Sequence, residues 1–456
     1  MPMHDLLFKG RVVTPHAVLD DGWIAVDGGR ISRLGQNEAP PARHVEDHGD
    51  ALILPGAIDA QVHSRSQKGQ EDFVWSTRAA AAGGVTTIAD MPYDDGFLVC
   101  TADALRQKAQ EAGAQARIDY ALWGTIAPDD GPAHIPAMAQ AGACGFKFST
   151  FGTDPVRFPR IPPDLLAACF EAVARTGLIA GVHNEDDELV RARIAAVARA
   201  GITDWRAHGL SRPALAETLA MAQIYETAAG TGCSAHVVHC SVARGYALCE
   251  AYRRQGFDTT VEACIHYLVL DEEHDVARLG GRAKINPPVR PRAEVEGLWH
   301  HLAAGNVTIV STDHVSWSLA RKSDPDMLRN ASGVPGLDML YPLLLTELSR
   351  RDLSPTHASR LLAENPARLF RLAAGKGGLA PGRDADITVA RRETWRYDPA
   401  ASDNVLTDWS PYAGRELDWR IAGTWLRGRQ VFDGRTVLAE PGTGRFITPE
   451  QPSGVR

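Results

Sequence analysis

Pro55-Gly-Ala-Ile-Asp-Ala-Gln-Val-His-Ser-Arg65 is an apolar run that ends in a row of polar side chains. Alternation along a strand puts Asp59, Gln61, His63 and Arg65 on one face. Such a row at a strand end can hold a metal from the floor of a pocket. Working outward, the candidate strands are 57–62, 85–90, 118–124, 144–149, 178–183, 234–239, 258–264 and 307–312, and helical patterns follow most of them. The clearest helix is 213–229, with Pro213 at its start, Leu215, Leu219 and Ala222 as an i, i+4, i+7 stripe, and Gly230 as a stop. Eight strands separated by helices predict a parallel (β/α)8 barrel. An open doubly wound sheet is the alternative, but no GxGxxG loop follows any early strand.

Both chain ends read differently. Leu6–Phe8, Arg11–Val13, Trp23–Val26, Arg30–Leu34 and Ala51–Leu54 are short apolar runs, and Asp27-Gly28-Gly29 is a hairpin turn between two of them. Asp386–Ala390, Trp419–Leu426 and Gln430–Phe432 repeat the style near the C-terminus, with a turn at Asp433-Gly434. Neither set makes a good sandwich alone, so both are expected to pair into one small β-sandwich. The expected division is 1–54 and 375–456 for the sandwich and tail, and 55–374 for the barrel. The Pro- and Gly-containing tail beyond Glu440 is expected to be loosely held.

A chain of 456 residues could hold two or three domains by the ~150-residue rule, or one barrel of ~250 residues with insertions beside a smaller unit. Its net charge of −8 argues against non-specific nucleic-acid binding. No run of ~18 apolar residues predicts a membrane span, and the N-terminus lacks the layout of a signal peptide. Seven scattered cysteines without CxxC read as reduced thiols, so a cytoplasmic protein is expected.

Active-site residues of a barrel sit at the C-terminal ends of its strands. Those ends carry His63, Lys147, His183, His239 and Asp313, a set of imidazoles, one carboxylate and one lysine that suits a divalent metal such as zinc. Lys147 interrupts the apolar strand Cys144-Gly-Phe-Lys-Phe-Ser-Thr150, where an ammonium is expensive to bury and has no lone pair for a metal. Its amine could instead reach the barrel mouth or pair with Asp or Glu. Asp313 is the candidate general base and acid, and Arg65 and Arg290 could orient a carbonyl-rich or anionic substrate by forked hydrogen bonds.

The opening segment resembles the Asp-x-His-x-His motif of the cyclic amidohydrolases (dihydroorotases, hydantoinases and allantoinases), with Gln61 where the first His belongs. The resemblance runs along nearly the whole chain, through Thr77–Thr87, Phe158-Pro159-Arg160-Ile161, Val182-His183-Asn184-Glu185, Ser211-Arg212-Pro213 and His236–Ser241. It continues through Glu262–Leu268, Asn286–Arg290, Ser311-Thr312-Asp313-His314 and Gly382–Asp386. It implies hydrolysis of a ring amide in a small cyclic amide or ureide, a carbamylated Lys147, and a homotetramer or homodimer. It implies one cation on Lys147, His183 and His239, and a second on His63, Asp313, Lys147 and the Gln61 position. Gln offers only an amide oxygen, a weaker zinc ligand than imidazole, so one or two metals are open. Arg65 stands where dihydroorotases have a carboxylate-binding arginine, yet Tyr93 stands where they have Asn. Tyr93, Asn286 and Arg290 join Arg65 as candidate substrate contacts. The competing expectation is a catalytically altered relative that keeps the barrel as a binding scaffold.

Overall fold

The eight central strands are buried on both faces, between helices outside and packed side chains inside. In the computed structural model, which describes residues 3–450, they run Ala57–His63 (β5), Val85–Asp90 (β6), Asp119–Leu122 (β7), Phe146–Ser149 (β8), Ile179–His183 (β9), Ser234–Val237 (β10), Thr259–Cys264 (β11) and Ile309–Ser311 (β12). All pair in parallel. The bridge Gly124–Phe146 joins β7 to β8. Asp59 accepts from Thr312 N at 3.1 Å and Thr312 Oγ1 at 2.5 Å, tying the last strand to the first.

Trp123 fills the barrel interior beside Ala60, Ala89, Ala121 and Cys144. A Cβ on Gly145 would lie 2.7 Å from the Trp123 ring, and one on Gly181 2.8 Å from it. The indole fits because those two positions carry no side chain, and its Nε1 donates to Ala60 O.

Outside the barrel, His4–Val13 (β1), Val18–Asp27 (β2), Arg30–Gln36 (β3), Ala42–Pro55 (β4), Ile387–Arg396 (β13), Glu416–Leu426 (β14) and Arg429–Phe432 (β15) form one sheet. Its order is β15-β14-β13-β4-β1-β2-β3, so β4 and β13 join the two chain ends. The sheet folds over itself: Ile31 N donates to Arg383 O, Ala385 N to Gly29 O, and Phe8 meets Trp425 edge-on at 5.1 Å. The enclosed core includes Phe8, Ile24, Val26, Ile53, Val389 and Trp425. At the junction with the barrel, the Lys376 ammonium sits 2.5 Å from Asp119, 3.0 Å from Asp384 and 2.7 Å from Asp386. That lysine, with Arg427 on Asp119, occupies a carboxylate cluster that could otherwise hold a cation.

Three expectations need correction. The helix Ala214–Thr231 runs past Gly230 and stops at Gly232, whose φ of 70° is the left-handed turn a helix end uses. Leu215 and Leu219 lie on its exposed side, while Ala216, Ala220, Met221, Ile224 and Tyr225 face the barrel. A face that mixes alanines with Met221, Ile224 and Tyr225, not the leucine stripe, is the packed one. The tail is not loose: Gly442 and Gly444 donate to Ala116 O, Tyr120 N to Arg445 O, and Ile447 N to Tyr120 O. Phe446 stacks on Tyr120 at 5.7 Å. None of the seven cysteines forms a disulfide, and no described helix is long and apolar enough to cross a membrane.

Candidate active site

A cavity of about 530 Å³ opens at the C-terminal ends of the barrel strands, with Gln61, His63, Lys147, His183, His239 and Asp313 in its wall. Each comes from a strand end or the first residues beyond it. Asp313 and His239 hold φ values of 47° and 41°, left-handed conformations that cost of order 1 kcal/mol or more for a side chain with a Cβ. Such strain persists only where surroundings enforce it. For His239 the enforcement includes its backbone N–H, which donates to Glu262 Oε1 at 3.0 Å.

Two subsets of donors are visible. His183 Nδ1 faces His239 Nε2 at 3.0 Å, and His183 Nε2 meets Glu185 Oε2 at 2.8 Å. Glu185 is pinned in turn by Arg212, whose guanidinium holds that carboxyl well below the usual range. A carboxylate only accepts, so it places the His183 proton on Nε2 and leaves the Nδ1 lone pair facing the cavity. Burial lowers both imidazoles and keeps them neutral, the form that ligates. Beside them, burial pulls the Lys147 amine down to about 8, and it donates only to Phe148 O at 3.2 Å.

In the second subset, Asp313 Oδ1 lies 3.3 Å from His63 Nε2 and accepts from Gln61 Nε2 at 2.8 Å. The Gln61 amide oxygen is left buried without a partner. Neutral imidazole nitrogens at close range, a carboxylate and an orphaned amide oxygen are the donor chemistry of a divalent-metal site.

The candidate substrate contacts divide. Tyr93 and Asn286 line the cavity. The Tyr93 hydroxyl is committed to Lys147 O at 3.0 Å, and burial raises its pKa. Asn286 accepts from Ser332 Oγ at 3.1 Å. Arg65 and Arg290 lie outside the cavity wall. Strand β5 ends at His63, so alternation stops before Arg65, which turns away to Asp72 (2.7 Å) and Glu111 (2.6 Å) over the Phe73 ring. Arg290 is buried against Glu217 (2.5 Å), Ser241 and Arg212 O. Sequence reasoning missed Arg157, Lys284, Trp317 and Arg321 as wall residues. Arg157 follows the lysine loop and Trp317 follows Asp313 by four positions, so their nearness to ligating residues in the chain was the available signal.

A barrel with this donor set at its strand ends defines a metal-dependent hydrolase scaffold, and residues 52–431 match the amidohydrolase family. The chain belongs to that family. It is 37% identical to an allantoinase of Rubrobacter xylanophilus, with all of both chains covered. It is 35% identical to an allantoinase of Streptomyces avermitilis over 98% of each chain. Among solved structures, an L-hydantoinase (dihydropyrimidinase) from Arthrobacter aurescens superposes with a TM-score of 0.94 at 28% identity, covering 98% of this chain and 100% of that one.

Proposed function

We propose that this chain hydrolyses a ring C–N bond of a cyclic ureide, using a divalent metal centre with Asp313 as general base and acid. The convergence of Lys147, His183, His239, His63 and Asp313 on one cavity carries this reading. Full-length likeness to allantoinases and a hydantoinase supports the substrate class. Lys147, His183 and His239 would hold an inner zinc ion, and His63 and Asp313 an outer one, with Gln61 as a weak additional donor. Burial lowers the Lys147 amine to about 8, so far more of it is neutral near pH 7 than for an ordinary lysine; this supports its carbamylation, because carbon dioxide adds only to a free amine and the adduct is a carboxylate. When bound, the metal supplies Lewis acidity at the scissile carbonyl and toward water.

The chain's own groups supply the rest. Asp313 takes a proton from the attacking water as its oxygen bonds the carbonyl carbon. The ring C–N bond then breaks, and Asp313 returns that proton to the leaving nitrogen. The product is one open chain that carries a carboxylic acid at one end and a carbamoyl group at the other. His63 and Gln61 keep the Asp313 carboxylate turned toward the cavity. Asn286 lines the cavity with its Oδ1 bonded to Ser332, and its amide N–H would donate to a ring carbonyl. The proposal includes the homodimer or homotetramer implied by the resemblance, which sedimentation reads directly.

The test is metal analysis of purified protein followed by a panel of cyclic ureides and imides. Ring opening that falls by about 10²-fold or more in Asp313→Asn, with metal retained, is the expected outcome. Metal-free protein that opens no ring would favour the scaffold alternative.

A further inference from the structure

The cavity wall carries far more positive than negative charge. Besides Lys147 it holds Arg157, Arg191, Arg212, Lys284 and Arg321, against the carboxylates of Asp154 and Asp313. Most of these charges are already committed. Arg191 pairs with Asp187 at 2.6 Å and Arg212 with Glu185. Lys284 gives its ammonium to Leu328 O and Asn330 O, both at 2.6 Å, so its donors are occupied although no carboxylate pairs with it among the described residues. Asp154 accepts from the backbone N–H groups of Val156 and Arg157.

Two guanidinium groups are left over. Arg157 donates Nε to Tyr93 O at 2.7 Å and Nη1 to Ser66 O at 2.8 Å, and no carboxylate pairs with it among the described residues. Backbone carbonyls thus fix its plane, and the carboxylates of Asp95, Asp94 and Asp154 act on its charge only from beyond ion-pair contact. Its guanidinium lies over the Phe158 ring at 5.0 Å, and Phe158 packs on Tyr93 at 4.4 Å and near His63 at 6.2 Å. Arg321 lies over Trp317 at 4.5 Å, also without a carboxylate among the described residues. Both cations are therefore held on aromatic faces of the same cavity that contains the metal ligands. The half-buried, fixed Arg157 guanidinium is ordered at a cost that an anionic ligand would lower, and the exposed Arg321 adds positive charge to the same wall.

We infer that the ring substituent of the substrate is anionic, a carboxylate bound by Arg157 and Arg321 while the ring lies at the metal ligands. This rests on the ring-opening reading above and names the substrate within that class. Arg157 and Arg321 then take the role that the sequence suggested for Arg65. A neutral substituent would leave both guanidinium groups without an ion-pair partner, whereas a carboxylate offers an acceptor to the N–H groups that each has free.

The test uses a matched pair, hydantoin-5-acetate and hydantoin-5-acetamide, which differ only in charge at the arm. With the metal-loaded protein, the acetate should show a KM about tenfold or more lower than the acetamide, the effect of a charge-assisted hydrogen bond. Arg157→Gln and Arg321→Gln should each shrink that ratio, and Arg157→Lys should keep part of it. Arg321 is exposed and makes no backbone ties of its side chain, so its variant folds even if Arg157→Gln disturbs the loop it holds. Calorimetric titration of metal-loaded Asp313→Asn with both ligands reads binding apart from the reaction. Arginine-dependent preference for the acetate without ring opening would remove the reaction and keep the anion site. Equal affinity for the pair, or a preference unmoved by both arginine variants, overturns the inference even if both rings open.

Discussion

Gln61 stands where the resemblance to the cyclic amidohydrolases puts a histidine, and its amide faces two ways. Nε2 holds Asp313, and Oε1 is left in the cavity wall without a partner. An amide oxygen binds zinc less well than imidazole, so purified protein should hold nearer one metal than two per chain. Gln61→His should raise the metal content, measured side by side with wild type. Two tightly held ions in the wild type, unchanged by the substitution, would show that Gln61 does not limit the outer site. Lys147 carries a pH prediction of its own. Burial lowers its amine from 10.5 to about 8, so the neutral form grows as pH rises through that value. Metal-free protein in ¹³C-bicarbonate should therefore show a carbamate carbon signal that increases from pH 7 to pH 9. No carbamate signal at pH 9, in protein that remains folded, would count against the modification. At this scale the ligand candidates were legible because strand ends can be found from periodicity and motif. Arg65 and Arg290 were not, since the end of alternation and the reach of Asp72 and Glu217 are tertiary facts.

At the scale of elements, the site depends on how β8 and β9 pass the indole of Trp123. Gly145 stands two residues before Lys147 on the same run. An added methyl would meet the Trp123 ring at 2.7 Å and Ile179 at 2.9 Å. Gly145→Ala should cost about 1–3 kcal/mol of stability, an overpacking effect. It should also loosen the inner metal site, because Lys147 moves with its strand. Thermal melts and metal retention of the variant check both parts, and a variant as stable as wild type would show that Trp123 has room to yield. The sequence marked both Gly145 and Trp123 as strand residues, but nothing in it said that they touch. The same gap explains the helix Ala214–Thr231, where the visible leucine stripe turned outward and a face of alanines with Met221, Ile224 and Tyr225 was packed.

For the whole molecule, the eight strands and the pairing of both chain ends were legible because each strand is a short apolar run with a turn or helix after it. The docking of the tail was not, because Gly442, Gly444 and Ile447 hold the barrel through backbone groups that leave no side-chain pattern. A protein cut to 55–374 would lose β4, β13 and the three carboxylate partners of Lys376 except Asp119, together with that lysine. It should be insoluble, since the apolar floor under the sheet would face water. A soluble and active fragment would show the barrel to be self-sufficient. The β4–β13 seam has a further consequence, which concerns synthesis. Strand β4 leaves the ribosome early, whereas its partner β13, from Ile387 on, follows only after the entire barrel has been made. At ordinary elongation rates that interval is on the order of tens of seconds. Throughout it the nascent chain carries an open strand edge beside Leu52, Ile53 and Leu54, the kind of edge that invites pairing with another chain. Yield in cells should thus be governed by what shields that edge before Ile387 emerges.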